Sequence, residues 1–250
     1  TRRSSDLEVI SMLANNNEAI INKLAKNSVK TNKKQYAILF FTIILSAFML
    51  FCVFTIGMTY LNSSRLQNTR LNGAEYDIVT MNGFTSEQLN TLQQNENIRS
   101  VGIESYAGFI QSTEYDKTVE IGLLWCDEVF WDNLMSPART KLDGHYPQNK
   151  NELMVTKDIL KTCGNENLSV GDSLILTYEN NTGVYTDEFV ISGIWDGYGD
   201  TSAGFVSKAF YDETGYDLKN NGILCIKLNC NYVFPTTIQS IEKSLDFSDR

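Results

Sequence analysis

The most distinctive stretch of the chain reads Tyr36-Ala-Ile-Leu-Phe-Phe-Thr-Ile-Ile-Leu-Ser-Ala-Phe-Met-Leu-Phe-Cys-Val-Phe-Thr-Ile-Gly-Met-Thr-Tyr-Leu61. It lies within a longer segment, residues 35–64, that has no charged side chain. As a helix, this stretch would reach about 39 Å at about 1.5 Å per residue, enough to cross a hydrocarbon layer of about 30 Å with some tilt. We therefore predict a transmembrane helix over residues 35–62.

Polar side chains within this segment are compatible with lipid. The hydroxyls of Thr42, Ser46 and Thr55 can donate to the carbonyl one turn back, and Tyr36 and Tyr60 stand near the two ends, where tyrosine rings prefer the membrane interface. The apolar region of a signal peptide is the alternative. It is disfavoured because the run is roughly twice the usual length and no small-residue cleavage signal follows it.

Positive charge marks the side of the membrane that holds the N-terminus. Five lysines stand before the span, whereas only two arginines, Arg65 and Arg70, stand between the span and Glu75; the lysines are Lys23, Lys26, Lys30, Lys33 and Lys34. Since loops left in the cytoplasm are enriched in Lys and Arg, residues 1–34 are predicted to be cytoplasmic and residues 63–250 extracytoplasmic. Residues 20–34 have the pattern of an amphipathic helix at the membrane surface, with a solvated linker helix as the alternative.

Charge and length limit what the external part can be. Residues 62–250 have 14 basic and 27 acidic side chains, so their net charge is about −13 and nucleic acid is an improbable partner. Nearly 190 residues are ample for a hydrophobic core. Because the chain begins with Thr1 and ends directly after a helical pattern, we expect it to be a piece of a longer protein.

The cysteines match neither a dense disulfide framework nor a zinc motif. Cys52 lies in the predicted span; the other four, which we expect to behave mainly as small apolar residues with disulfides allowed but not required, are Cys126, Cys163, Cys225 and Cys230.

After the span, short strands alternate with short helices, which predicts a mixed α/β (α+β) domain. Thr85 with Gln88 forms a capping box for a helix to residue 95, and Thr156 is the predicted N-cap of a helix that stops near Gly164. A loop with Gly144 and Pro147 is expected to lead through Glu152 into the strand 153–156. The other predicted helices are 127–134, 208–214 and 234–245, and the predicted strands are 76–81, 98–103, 106–112, 118–125, 153–156, 174–178, 186–195, 203–207 and 222–229.

Four short motifs follow the span in a fixed order. They are Gly144-x-x-Pro147, Glu152-Leu-Met-Val155, Leu168-x-Val-Gly-Asp172-x-Leu174 and Phe189-Val-Ile-Ser-Gly-Ile194. Together with the lysine-rich lead-in and the strand-helix-strand start of the external part, they resemble the FtsX-like permease family with a MacB-type periplasmic core domain. The resemblance covers about residues 20–230.

This resemblance implies a permease subunit of an ABC transporter, dimeric in the membrane as a homo- or heterodimer and driven by a separate cytoplasmic ATPase. Its expected task is to move or extract an amphiphile, peptide, antibiotic or lipoprotein, or to transmit ATPase-driven motion across a bacterial cell membrane. The later spans and the ATPase-contacting loop of that family are absent from this sequence. Coupling to ATP is therefore implied by the resemblance alone.

The sequence offers little that indicates catalysis. It has no Gly-x-x-x-x-Gly-Lys-Ser/Thr loop to cradle phosphates, so we expect no nucleotide binding, no cofactor and no enzymatic activity in this chain. The only histidine, His145, stands without a recognised partner pattern, and the segment Asp196-Gly-Tyr-Gly-Asp200 fits a turn better than a calcium loop. No catalytic, cofactor or metal residue is predicted.

Two further patterns are open to a functional interpretation. Asn62, Asn167 and Asn180 begin Asn-x-Ser/Thr triplets, which matter only where a secretory pathway glycosylates them. External aromatic residues could line a groove, although their alternation with polar residues favours core packing; these are Trp125, Phe130, Trp131, Trp195, Tyr198, Phe205, Phe210 and Tyr211.

The main alternative function is a single-pass, membrane-anchored receptor that binds an external ligand without an ATPase. A membrane-tethered hydrolase is disfavoured because no nucleophile-base pair is apparent in the sequence.

Overall fold

A computed structural model describes residues 18–111, 121–198, 203–229 and 235–245. The chain divides into two compact units, residues 1–63 and residues 64–250. Helix α1 covers residues 18–31, and after a bend at Asn32 helix α2 runs from Lys33 to Asn72 without interruption. Helical structure was thus correctly predicted through the span, and α2 continues beyond residue 62 to Asn72.

Helix α2 has the features expected of a membrane span. Of the helices in the described residues, it is the one long and apolar enough to cross a membrane, judged by length and composition. Thr42 Oγ1 donates to the carbonyl oxygen of Ile38 at 2.8 Å, and Thr55 Oγ1 donates to that of Phe51 at 2.8 Å. These two predicted hydroxyl contacts are confirmed.

In the part of the second unit that the structure describes, nine strands form one sheet. They are β1 (Ile78–Thr80), β2 (Ile98–Ile110), β3 (Ile121–Cys126), β4 (Arg139–Gly144), β5 (Glu152–Thr156), β6 (Ser173–Asn180), β7 (Gly183–Gly197), β8 (Ala203–Val206) and β9 (Gly222–Leu228). The helices of this unit are α3 (Ser86–Gln93), a π-helix (Val129–Leu134), a 3-10 turn (Ser136–Ala138), α4 (Lys157–Thr162), α5 (Lys208–Tyr211), α6 (Leu218–Asn221) and α7 (Pro235–Leu245). This confirms the predicted mixed α/β class with one long apolar helix near the N-terminus.

The hydrogen-bonded strands form a ring. The strand order is β1-β9-β2-β3-β8-β5-β7-β4, and β6 pairs with both β7 and β2, so β2, β3, β8, β5, β7 and β6 close on themselves. The β3-β8 and β5-β7 pairs are parallel, and the others are antiparallel. The ring leaves β4 and β1 as the outer strands of the sheet.

Two hydrophobic clusters lie on opposite faces of these strands, because successive side chains of a strand alternate in direction. All six ring strands contribute to the first cluster, which fills the ring; Leu153 and Val155 belong to it. Met154, between them, belongs to the second cluster, where Phe130, Trp131 and Leu134 of the π-helix cover the outer face. The π-helix thus closes the second cluster.

Local capping signals were predicted correctly. Thr85 accepts from Gln88 N while the Gln88 side chain accepts from Thr85 N, and Thr156 accepts from Ile159 N at the start of α4. The predicted hairpin of residues 174–178 with 186–195 is also confirmed, although both strands are longer. The turn residues Asn181 and Thr182 connect Asn180 to its partner Gly183.

Other predictions need correction. Residues 98–103 and 106–112 are not two strands but the single strand β2, whose pairing to β3 shifts register between Tyr106 and Gly108. Gly144 is not in a loop: it is the last residue of β4, an exposed strand without apolar alternation that is held by pairing to β7. The helix predicted at 127–134 is a π-helix over Val129–Leu134, and α6 was not predicted.

Some elements are shorter than predicted. β1 covers three residues where six were expected, α4 ends at Thr162, and α5 ends at Tyr211 where residue 214 was predicted. The predicted start of β3 at residue 118, the N-terminal half of the lead-in and Cys230 lie outside the described residues.

Candidate functional site

The four motifs of the family resemblance meet on β7. Gly144 has φ +88°, and a Cβ added to it would lie 2.2 Å from the carbonyl oxygen of Ser192, so only glycine fits there. The next residue, His145, donates its backbone N–H to that same Ser192 oxygen at 2.9 Å. Glycine is thus required at position 144 because the backbone there lies close to the backbone of β7 at Ser192.

The other motifs are bound to β7 by backbone hydrogen bonds. Ile191 N donates to the carbonyl oxygen of Asp172 at 2.9 Å, and Gly171 N donates to that of Ile191 at 2.8 Å. Glu152 holds the preceding loop, because its carboxylate accepts from Gln148 N at 2.7 Å and from Asn149 N at 3.1 Å. The motif residues therefore have a structural role, and they position the loop that ends at Gln148.

This loop forms one wall of a cavity of about 580 Å³, which we call the aromatic pocket. Its other walls come from the end of β3, the π-helix and the start of α5. The lining residues are Trp125, Cys126, Asp127, Glu128, Trp131, Asp132, Tyr146, Pro147, Gln148 and Lys208.

Asp127 and the π-helix build one side of the pocket. The Asp127 carboxylate accepts from Phe130 N at 2.8 Å and from Ile103 N at 3.0 Å, so it caps the π-helix and ties it to β2. Met135 N donates to the carbonyl oxygen of Phe130 at 2.8 Å, which is the wider π-type turn. This turn places Trp131 and Asp132 at the pocket.

Tyr146 ties the loop to the sheet. Its hydroxyl accepts from Cys126 N at 3.0 Å and lies 3.2 Å from the carbonyl oxygens of Cys126 and Val206, to which it can donate. The Tyr146 ring is 5.0 Å from the Trp131 ring, which in turn lies 5.4 Å from Phe205. The pocket therefore has a fixed aromatic floor.

The chain already places cations against the aromatic walls. The Arg139 guanidinium lies 4.0 Å from the centre of the Trp131 ring, and Lys208 Nζ lies 5.2 Å from that of Trp125. Lys208 is also paired with Asp212, four residues along α5. Both indoles thus accept positive charge at their faces.

Burial shifts the ionisation of several groups at the pocket. Burial raises the pKa of the Cys126 thiol and of the Tyr146 phenol well above their usual values, so both are neutral near pH 7. Burial also raises the pKa of Asp127, against the lowering effect of its backbone hydrogen bonds. An activated nucleophile would need the opposite shift of a thiol pKa.

Glu104 is a further acid, on the face of the sheet that the second hydrophobic cluster covers. It lies in β2 between Cys126 of β3 and Ile223 of β9, and burial raises the pKa of its carboxyl to about 7. Nothing in the sequence indicates this burial, because a single glutamate within an alternating strand normally faces water.

Residues singled out by sequence do not assemble into a site. His145 is exposed, with Nδ1 3.0 Å from the carbonyl oxygen of Tyr146. Asp196 is exposed and accepts from Gly197 N at 2.9 Å, while Asp200 lies outside the described residues. In the described part of the chain no three His, Cys, Asp or Glu side chains are placed to hold a metal ion.

Cysteines, asparagines and aromatic residues mostly serve the fold. Four cysteines of the described residues are free: Cys126 and Cys225 are buried, and Cys52 and Cys163 are partly buried. Among the asparagines of the Asn-x-Ser/Thr triplets, Asn62 and Asn167 are exposed. The side chain of Asn180 accepts hydrogen bonds from Thr182 N and Gly183 N in the hairpin turn. Of the eight aromatic candidates, all except the exposed Tyr198 are buried, as core packing predicts. Trp125 and Trp131 are buried and also line the pocket.

No protein-family model matches this chain, and no curated protein matches it. Solved structures show similarity at low identity. The chain is similar to the periplasmic region of MacB from Actinobacillus actinomycetemcomitans, with 13% identity over 66% of this chain and 73% of that chain and a TM-score of 0.43. It is also similar to the extracellular domain of the noncanonic ABC-type transporter YknZ from Gram-positive bacteria, with 14% identity over 67% and 84% of the two chains and a TM-score of 0.43.

A third similar structure is a domain of a protein described as a permease from Porphyromonas gingivalis, with 11% identity over 69% of this chain and 74% of that chain and a TM-score of 0.41. Because identities and TM-scores are this low, the proposals below rest on the residues of this chain.

Proposed function

We propose that this protein is a permease subunit of an ABC transporter of the FtsX-like, MacB-like kind. Residues 1–34 would be a cytoplasmic lead-in, residues 35–62 the transmembrane helix and residues 63–250 an extracytoplasmic domain of MacB periplasmic-core type in the cell membrane. The proposed task is to move or extract an amphiphile, peptide, antibiotic or lipoprotein, or to transmit motion across the membrane.

The observation that carries this proposal is the ordered set of motifs and the way they fold. Motifs that span 45 positions, from Gly144 to Phe189, converge on one strand, β7, through backbone contacts. Some of these backbone contacts are possible only with glycine or with one type of turn, so they limit which residues can stand at the motif positions. A structural requirement of this kind explains the motifs without a catalytic role. This supports the resemblance that the order of the motifs suggests.

The segment after α2 is suited to transmit motion. Arg70 in the last turn of α2 lies over the Tyr198 ring at 3.9 Å, and Glu75 N donates to the carbonyl oxygen of Leu134 at 2.6 Å. Lys227 of β9, which is buried, pairs with Glu75 at 3.0 Å and with Asp77 at 3.3 Å. A displacement of residues 70–77 would therefore act on β9 and the π-helix.

The energy source is proposed to be a separate cytoplasmic ATPase subunit, with a second permease as the membrane partner. The lysine-rich lead-in favours a cytoplasmic N-terminus, which would place the external domain on the side away from the ATPase. Motion would then have to pass along the span, and the uninterrupted helix from Lys33 to Asn72 is suited to this.

Affinity purification from the native membrane tests this proposal. The full-length protein should bring an ABC ATPase with it, and a substitution that blocks ATP hydrolysis in that ATPase should abolish the phenotype of the permease. If no ATPase co-purifies and the phenotype survives loss of ATP hydrolysis, the anchored-receptor function replaces this proposal. The aromatic pocket favours that second candidate, since a receptor needs an external ligand site.

A further inference from the structure

We propose that the aromatic pocket binds a basic amphiphile, meaning a ligand that joins an ammonium or guanidinium group to an apolar body. Its volume of about 580 Å³ lies within the usual range for small-molecule sites of about 300–1,000 Å³. This inference concerns what the external domain binds, so it does not depend on an ATPase partner.

The apolar part of the ligand has defined surfaces to contact. Trp125, Trp131 and Pro147 are buried residues that still line the cavity, and Tyr146 completes the wall. Their positions are fixed by the hydroxyl of Tyr146 on Cys126 and by the capping of the π-helix by Asp127. A pocket held in place before binding loses little conformational entropy when a ligand enters.

The charge of the ligand follows from the acids at the pocket. Three acids, Asp127, Glu128 and Asp132, line it against one cation, Lys208. Lys208 is already paired with Asp212. In the described residues, no Lys, Arg or His nitrogen lies within 4.0 Å of the carboxylates of Glu128 or Asp132, and both residues are exposed. The charge of Asp132 acts on the Arg139 guanidinium, whose pKa it raises against the lowering effect of burial, so Glu128 is the carboxylate most available to a cation.

The indole faces attract cations, as the positions of Arg139 against Trp131 and of Lys208 against Trp125 illustrate. A ligand ammonium could use these faces only in place of one of the two side chains. An anionic amphiphile of the same size would gain the same apolar contacts but would be repelled by Glu128 and Asp132. The pocket should therefore distinguish amphiphiles by the sign of their charge.

The test uses the full chain in nanodiscs of zwitterionic lipid, with its three tryptophans replaced by 5-fluorotryptophan. Hexyltrimethylammonium is the cationic probe, and hexyl sulfate is the anionic probe with the same chain length. Fluorine NMR signals of Trp125 and Trp131 should shift saturably with the cation, while Trp195, which does not line the pocket, is the internal reference. Hexyl sulfate should bind at least several-fold more weakly.

Charge removal makes the test specific. The double variant Glu128→Gln and Asp132→Asn should weaken binding of the cation about fivefold, from two exposed ion pairs. The control, Glu166→Gln with Glu188→Gln, changes net charge equally at exposed positions away from the pocket and should bind like the unmodified chain.

Three results would overturn the inference. They are a shift of all three tryptophan signals in proportion to probe concentration, equal binding of hexyl sulfate, and unchanged binding by the double variant. Because the two substituted residues are exposed, loss of folding is not expected to obscure the outcome.

Discussion

Helix α2 and the external domain use the same apolar residue types in opposite ways. Phe48 in α2 is 60% exposed, whereas Phe189 in β7 is 1% exposed. Apolar exposure along a whole helix is unstable in water but favourable in hydrocarbon. The two regions are therefore adapted to different solvents, the bilayer for α2 and water for the domain.

The two regions also differ in how they treat charge. Residues 35–64 have none, while the external domain buries Lys227 between two carboxylates. A buried charge is tolerable when opposite charges compensate it, and a helix facing lipid has no such partners.

The largest expected effect comes from charge placed in α2. Leu45→Arg with Phe48→Arg should make membrane insertion less favourable by about 6 kcal/mol, at about 3 kcal/mol per arginine near the helix centre. Ile175→Arg with Val184→Arg, which alters equally exposed apolar residues of the external domain, should leave the protein in the membrane. Resistance to carbonate extraction measures how firmly each double variant is held in the membrane. Retention of the α2 variant would contradict the conclusion that α2 lies in the bilayer.

The next largest effect is a loss of stability when the close backbone contact at Gly144 is disturbed. Gly144→Ala should destabilise the external domain by about 3 kcal/mol, because its Cβ would collide with the Ser192 carbonyl and its φ is positive. Gly171→Ala, at φ +95° with no atom near its Cβ, should cost about 1 kcal/mol from backbone strain alone. Urea unfolding followed by tryptophan fluorescence compares them, and equal losses would refute the close approach at Gly144.

Lys227→Met tests the buried charge. It should destabilise the domain by about 2 kcal/mol, which is less than for a fully buried pair because Glu75 is 33% exposed. Lys208→Met removes an exposed pair with Asp212 and should cost no more than about 0.5 kcal/mol. If the two variants unfold at the same urea concentration, the Lys227 pairs do not stabilise the domain.

The smallest effect depends on pH. Burial raises the pKa of Glu104 from 4.5 to about 7, so the folded domain binds one more proton than the unfolded chain between these values. Stability should therefore fall as pH rises from about 4.5 to 7, by about 1–2 kcal/mol after allowing for the partial exposure of this side chain.

Glu104→Gln should remove this part of the pH dependence. Urea unfolding at pH 5 and pH 8 measures it as the difference between the unmodified chain and the variant. If the free energy of unfolding changes equally between pH 5 and pH 8 in the variant and in the unmodified chain, Glu104 ionises normally in the folded domain.

Elements with local signals were predictable from sequence. Composition alone identified the apolar segment of α2, and the capping side chains of Thr85 and Thr156 marked the starts of α3 and α4 because a cap acts within three residues. The β6-β7 hairpin followed from the short polar turn after Asn180.

Features that depend on distant partners were not predictable. β4 is a strand because it pairs with β7, some 50 residues later, and nothing in its own residues indicates this. The aromatic pocket joins Trp131, Tyr146 and Lys208, which only the ring of strands brings together. Trp125 and Trp131 were recognised as possible groove residues, but sequence could not show that buried rings also line a cavity.

Cysteine labelling in intact cells tests the central claim, a membrane-crossing α2 with an external domain, most directly. Lys30→Cys and Lys150→Cys would be made separately, each in a chain with Cys163 and Cys230 changed to Ser. Cys126 and Cys225 can stay because they are buried and should not react with the reagent. A membrane-impermeant thiol reagent should label the cysteine at position 150 and should reach the one at position 30 only after the cells are opened. Labelling at position 30 with protection at position 150 would contradict the account.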